Sequence, residues 1–390
     1  STENGLGLNL YVDGRFGSFS TNRLDKKELE TLITNGIEST RYLAVDESRM
    51  LADPARYYKG GKPDLQLFDK KLYEVNPDDK VAIARAAAEE VLGKDERIIS
   101  VDSSYSDGEG SSYRLISNGF EGESKSTWFS VSASVSIKGE GEARPQDYWY
   151  DSALFYDKLT KAGIGAKALE RVLRKLGQKK AKSGKYTMVV DPMNVGNLLS
   201  PMLSALYGSA LQQKNSFLMD KLDTKVASDL FTLRDEPHAI GANGSRYFDN
   251  EGVATEPRTV FDKGVLKTYF IDTYNGKKMD IAPTISAPSR LILTPGDKDL
   301  NGLVADIKQG ILVTGFNGGN SNSSTGDFSY GIEGFLIEDG KLTQPVNEMN
   351  VTGNMVTLWN SLVAVGNDPQ PNRSWQIPSL VFEGVDFSGL

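Results

Sequence analysis

Between Trp128 and Ile137 the chain alternates with period two: Phe129, Val131, Ala133, Val135 and Ile137 are separated by Ser130, Ser132, Ser134 and Ser136. Successive side chains of a strand point to opposite faces, so this run predicts a sheet with one dry and one wet face, in antiparallel pairing. Arg97–Tyr105 and Ser112–Ser117 are the strands that would accompany it. The front of the chain repeats the pattern. Leu6, Leu8, Leu10 and Val12 alternate with small or polar residues, and Asp13-Gly14 turns the chain into Phe16-Gly17-Ser18-Phe19, which predicts a tight β-hairpin.

Helical spacing interrupts these strands. Leu29, Leu32, Ile33 and Ile37 lie near one face of a helix over Leu24–Tyr42, with Asp25 as N-cap. After the connection through Pro54 and Pro63, Asn76-Pro77-Asp78-Asp79 reads as a helix start, with a cap, a proline at the first position and acids at the positive dipole end. Tyr156–Leu176 predicts a second long helix, running into the cationic segment Lys179–Lys185. That segment is read as a solvated helix end and linker rather than a phosphate site.

With 390 residues, at about 150 per domain, the chain holds two to three domains. The expected boundary is at residue 180: an N-terminal α+β domain over 1–180, with sub-units of about 1–72 and 73–180, and a C-terminal domain over 181–390. Beyond the strand Tyr186–Val190 the latter is β-rich. Its hairpins Val260–Leu266 and Leu336–Leu342 each turn at a polar-Gly pair. The fold class is α+β with largely antiparallel C-terminal sheets.

Composition removes whole classes of chemistry. There is no cysteine and one histidine, His238, so disulfides, thiolate metal sites, catalytic cysteine and a two-histidine zinc site within one chain are excluded. A cytoplasmic location fits this cysteine usage. Lys and Arg number 44 against 52 Asp and Glu, a net charge of −8, which repels nucleic acid and anionic membranes. No run of about eighteen apolar residues occurs, so no membrane span is expected. Apolar alternation begins almost at Ser1, and no signal peptide is expected.

Two segments invite a functional reading. Gly315–Asp327 is the most glycine-rich and polar stretch, and Asn317, Gly318, Gly319, Asn320, Gly326 and Asp327 are its candidate peptide-contacting residues; such a loop lets backbone N–H groups approach a ligand. It matches neither a dinucleotide fingerprint nor a P-loop. His238, in Asp235-Glu236-Pro237-His238, is read as a hydrogen-bonded turn residue. Pro201 cannot sit in an undistorted helix interior, so Ser200 is expected to cap a helix that starts at Pro201.

The second half resembles a known family in the order and spacing of short motifs. These are Asp249-Asn250-Glu251-Gly252-Val253 with Arg258 and Lys263-Gly264-Val265-Leu266; Thr325-Gly326-Asp327-Phe328-Ser329 with Gly331, Gly334-Phe335 and Glu338-Asp339-Gly340; and Val365-Gly366-Asn367-Asp368. Together they are similar to the TldD/PmbA family, also called modulators of DNA gyrase. The opening hairpin and helix resemble its N-terminal domain, with an opening helix and strand of that domain expected before Ser1.

In that family the TldD kind resembles a zinc peptidase with a His-Glu-x-x-x-His helix, read as bringing both imidazoles to one helical face, and a further Cys ligand. Matched through the neighbouring Asp-Pro and Leu-Leu pairs, its first His falls on Ser200, its Glu on Pro201 and its second His on Ala205. The resemblance therefore implies the other kind, PmbA or TldE: a member of a metallopeptidase family with no metal or cofactor of its own and zinc in a TldD-like partner. The pair would degrade or process small unfolded peptides. It implies a heterodimer with that partner, or a homodimer in isolation. The competing readings are a stand-alone metal-independent hydrolase, for which no constellation stands out, and a protein acting on gyrase without direct DNA contact.

Overall fold

The computed structural model describes residues 2–390. Strands β1 (Leu6–Val12) and β2 (Arg15–Thr21) form the expected hairpin, turning at Asp13-Gly14. Helix α1 (Lys26–Arg41) packs across it, capped by the Asp25 carboxylate, which accepts the Glu28 N–H at 3.1 Å. Helix α2 (Pro77–Glu89) starts as its sequence requires, with the Asn76 side chain accepting the Asp79 N–H at 2.9 Å and Pro77 in the first turn.

A three-stranded antiparallel sheet follows: β3 (Ile98–Ile116), β4 (Phe120–Ile137) and β5 (Gln146–Ala153). The two strands expected before Trp128 are one 19-residue strand, and β4 runs back along it for 18 residues, a hairpin about 60 Å long. Helices α2 and α3 (Ile164–Leu173) cover one face, burying Phe129, Val131, Ala133, Val135 and Ile137 against Ala87, Val91, Ile164, Ala168 and Val172. The serines of β4 point to the other face. The helix expected over Tyr156–Leu176 is shorter than its apolar spacing suggested. Tyr156–Lys158 is an isolated turn, and α3 begins only after Gly163, whose φ of +80° ends the preceding segment in a left-handed conformation. Strand β5 was not anticipated.

The remainder builds two sheets. Strand β6 (Gly184–Val190) leads to α4 (Gly196–Ser204) and α5 (Gly208–Gln212). Strands β7 (Leu233–Asp235), β8 (Arg258–Asp262) and β9 (Val265–Leu266) come next, then α6 (Thr273–Met279), β10 (Leu291–Leu293) and α7 (Leu300–Ala305). The chain ends with β11 (Gln309–Ser321), β12 (Asp327–Glu338), β13 (Lys341–Asn354), α8 (Met355–Asn360), β14 (Leu362–Val365), β15 (Trp375–Gln376) and β16 (Leu380–Ser388). The larger sheet runs β13-β12-β11-β6-β16-β14, and β13 also pairs with β16, so the sheet closes on itself. Only β6 and β11 run parallel within it. The smaller sheet is β15-β10-β7-β8-β9. Between them Trp359, Phe231, Phe261 and Phe382 are fully buried with Leu198 and Leu199 of α4.

These elements make the chain α+β with mostly antiparallel sheets, as its alternation implied. The hairpins Val260–Leu266 and Leu336–Leu342 are both present, in different sheets.

Candidate functional site

Helix α4 carries the positions matched to the zinc motif. Leu198, Leu199, Met202 and Leu203 bury one side of it, and the Trp359 indole N–H donates to the Leu198 carbonyl at 3.3 Å. Pro201 does not start this helix, as expected, but lies inside it. Ser200 therefore precedes it within the helix and is no cap. The cost of the missing N–H is offset by apolar burial on both sides of the proline. Ser200 is exposed, whereas Ala205, just past the helix end, is 1% exposed. The two positions do not share a face as the motif spacing had suggested, since five helical residues turn through about 140°. Ser200, Pro201 and Ala205 supply no nitrogen, sulfur or carboxylate donor, so these residues do not fit a zinc ion. Among the described residues no group of three His, Cys, Asp or Glu side chains is placed to hold a metal.

His238 takes the turn role: its Nε2 lies 3.0 Å from Thr255 Oγ1 and its ring packs on Tyr247. Burial, helped by the nearby Lys62 cation, holds its pKa below the usual value.

Immediately after β6 comes Asp191, which accepts the backbone N–H and the side-chain amide of Asn194 at 3.1 and 2.8 Å. Burial pushes this carboxyl up to about 6, against the pull of those bonds and of Arg171. Beside Asn194 a cavity of about 360 Å³ opens between the three-stranded sheet β3-β4-β5, the central sheet of the chain, and the closed sheet, lined by Gln146, Asp147, Tyr148, Arg171, Lys175, Asn194, Asn317 and Glu333. Lys175 bridges Asp147 and Glu333 at 3.1 and 2.7 Å, and Arg171 pairs with Asp147 at 3.2 Å. These balanced charges fix the two sheets against each other.

The glycine-rich stretch reaches this cavity differently from expectation. Most of it is not a loop but the distal ends of β11 and β12, with only the turn from Asn322 to Gly326 between them. Register shifts at Val313/Gly315 and Phe316/Gly319 bend the pair. Asn317 lines the cavity, Gly318, Gly319 and Asn320 lie on the exposed part of β11, and Gly326 is buried in the turn. Asp327 is engaged locally: its carboxylate accepts the Asn354 amide at 3.0 Å and the Thr325 hydroxyl at 2.7 Å, which hold its pKa low. The Ser323 hydroxyl ties the turn to Asn215 at 2.7 Å.

The motif residues around Asp249 turn out to hold the chain together. The buried Asp249 carboxylate accepts the N–H groups of Glu251, Val253 and Ser286 at 2.8 to 3.0 Å. Glu251 accepts the Thr273 N–H and hydroxyl, both at 2.9 Å, while burial raises its pKa. Gly252, at φ +78°, receives the tip of the β3–β4 hairpin: a Cβ there would sit 2.6 Å from the Phe120 ring. Asp368, from the last motif, accepts the Ser379 N–H and hydroxyl and the Leu300 N–H. Sequence reading missed Lys175 and Glu333, which are 158 residues apart and have no local pattern.

The family profile of the PmbA/TldA metallopeptidase C-terminal domain matches residues 183–389, and that of the central domain matches 70–176. A Haemophilus influenzae metalloprotease PmbA homolog is 28% identical over 397 residues, spanning 100% of this chain and 86% of the relative. The Escherichia coli O157:H7 metalloprotease PmbA is 26% identical, with the same coverage of each. A Bacteroides thetaiotaomicron crystal structure, described as a candidate modulator of DNA gyrase, superposes with a TM-score of 0.99 at 73% identity, over 100% of this chain and 89% of that one. TldE from Thermococcus kodakarensis shares the fold, with a TM-score of 0.80 at 22% identity over 97% and 88% of the two chains. By these matches the chain belongs to the PmbA/TldD metallopeptidase family.

Proposed function

We propose that this chain is the metal-free subunit of a cytoplasmic two-chain peptidase, in which a TldD-like partner holds the zinc and cuts small unfolded peptides. The single observation that carries the reading is the replacement of both imidazoles and the carboxylate of the motif by Ser200, Pro201 and Ala205 in a chain with no cysteine and one histidine. A catalytic zinc needs about three protein donors, and this helix has none. The chain's role is then to close a chamber around the partner's zinc, admitting extended peptides and excluding folded proteins. Asn317 and the exposed end of the β11–β12 hairpin belong to the peptide-facing side.

The test mixes the purified chain with its TldD-like partner and follows cleavage of an unfolded peptide. Addition should raise the partner's turnover, the mixture should sediment as a heterodimer, and zinc should travel with the partner. Cleavage by the partner alone that is unchanged on addition refutes the subunit role. Turnover by the isolated chain that survives chelation establishes a stand-alone metal-independent hydrolase instead.

A further inference from the structure

Another cavity, of about 430 Å³, lies beside the tip of the β3–β4 hairpin. Three stretches far apart in sequence meet there: residues 58–67 of the connection before α2, the hairpin itself, and residues 245–250. Small-molecule sites run from about 300 to about 1,000 Å³, so this one is of that size. One wall is aromatic. Tyr58 stacks on Tyr247 with ring centres 5.1 Å apart and planes 11° from parallel, and on Phe248 at 6.2 Å. On the hairpin side Ser112 and Ser124 face each other across the strands with their hydroxyls 2.8 Å apart, and Arg114 follows Ser112 on the same face.

Most charges around this cavity are already engaged. The Lys62 ammonium pairs with Glu256 at 3.1 Å and that of Lys125 with Glu109 at 3.3 Å. Arg246 donates to Ser289 and to the Ala287 and Pro288 carbonyls. Asp64 accepts the Gln66 N–H, and Asp249 holds the three N–H groups described above. Two charged residues of the lining are left, Arg114 and Glu123, and neither makes an ion pair or a side-chain hydrogen bond among the described residues. They are of opposite sign. Across the hairpin from the half-buried Arg114 stands Gly122, which has no side chain to offer it and no room for one: a Cβ there would lie 2.7 Å from the Phe120 ring and 2.9 Å from that of Phe248. Glu123 is exposed on the next position, where β4 is an edge strand because its pairing with β5 begins only at Phe129.

A half-buried guanidinium without an acceptor is poorly solvated, and its fork of N–H groups matches a carboxylate. The rings beside it offer a flat apolar wall to an aromatic body, and Glu123 offers an anion to an ammonium group. We propose that this cavity binds a free aromatic amino acid as a zwitterion, with its carboxylate on Arg114, its ammonium towards Glu123 and its ring against Tyr58 and Tyr247. The site is independent of the peptidase role proposed above, since it shares no residue with α4 or with the cavity that Asn317 lines.

Calorimetric titration of the full chain with L-phenylalanine tests the assignment. The wild type should bind it. L-Phenylalaninamide, which lacks the carboxylate, and L-alanine, which lacks the ring, should each bind about tenfold more weakly. N-Acetyl-L-phenylalanine presents its carboxylate as a peptide C-terminus does, without the ammonium, and should lose about threefold because Glu123 is exposed. Arg114→Met should weaken phenylalanine about tenfold and erase its advantage over the amide, which a merely loosened cavity would not do. Glu123→Gln should weaken phenylalanine about threefold and leave the N-acetyl compound unchanged. Melting curves establish that both variants are folded, and the ligand series on the wild type stands without them. No binding of phenylalanine by the wild type at millimolar concentration, equal binding of phenylalanine and its amide, or an Arg114→Met chain that keeps the preference overturns the site. N-Acetyl-L-phenylalanine binding as tightly as phenylalanine overturns the free amino acid in favour of a peptide C-terminus.

Discussion

Lys175 Nζ lies 2.7 Å from Glu333 Oε1, joining the chain just beyond α3 to strand β12 across the seam between the central sheet and the closed sheet. The same ammonium reaches Asp147 on β5, and its side chain is 9% exposed. One cation therefore holds together three elements that are far apart in sequence.

Removing it should be costly. Lys175→Met leaves the buried Asp147 with Arg171 as its remaining cation and the half-buried Glu333 without its partner, and the chain should lose about 3 kcal/mol of stability in urea denaturation. Adding Glu333→Gln to that variant should recover part of the loss, because one unpaired charge disappears. A Lys175→Met chain as stable as the wild type would show that the seam does not depend on this pair.

The hairpin tip makes a second, apolar seam. Gly252→Ala places a methyl group against the Phe120 ring at a left-handed backbone position, and should destabilise by about 2 kcal/mol. Phe120→Leu shrinks the ring, so the double variant should lose less than the two single losses added together. Strict additivity in thermal melts would mean that the two residues do not compete for the same space.

Asp191 sets a pH dependence. Its carboxyl, raised to about 6 by burial, binds a proton more tightly folded than unfolded. The native state therefore loses stability as pH rises from about 4 to about 6, and the loss is complete above that window. Asp191→Asn still accepts the Asn194 N–H groups through its amide oxygen. Relative to the wild type it should gain about 2 kcal/mol between pH 4 and pH 7. Parallel stability profiles in urea at the two pH values would contradict this.

Rebuilding the lost metal motif should fail on packing. Ala205 is 1% exposed within the main core, so Ala205→His must displace neighbours and should destabilise by about 1–3 kcal/mol. Ser200→His, on an exposed position, should leave stability within about 0.5 kcal/mol. Equal melting temperatures for the two variants would mean that the site beside Ala205 can open.

The elements with a local physical signal were legible in the sequence. Alternation along Phe129–Ile137 identified a sheet with one wet face, Asp13-Gly14 a hairpin turn, and Asn76-Pro77 a helix start, because each rests on neighbours within a few residues. The donor set was legible for the same reason: which atoms a chain has is independent of how it folds. Tertiary structure decided the rest. Gly252 is needed because Phe120, 132 positions earlier, arrives on a hairpin whose length no local pattern encodes. Pro201 is tolerated inside α4 because the core binds that helix on both sides of it, which outweighs one lost hydrogen bond. The seam of Lys175 with Asp147 and Glu333 exists only once two sheets have met, since charge pairing depends on distance in space and not along the chain.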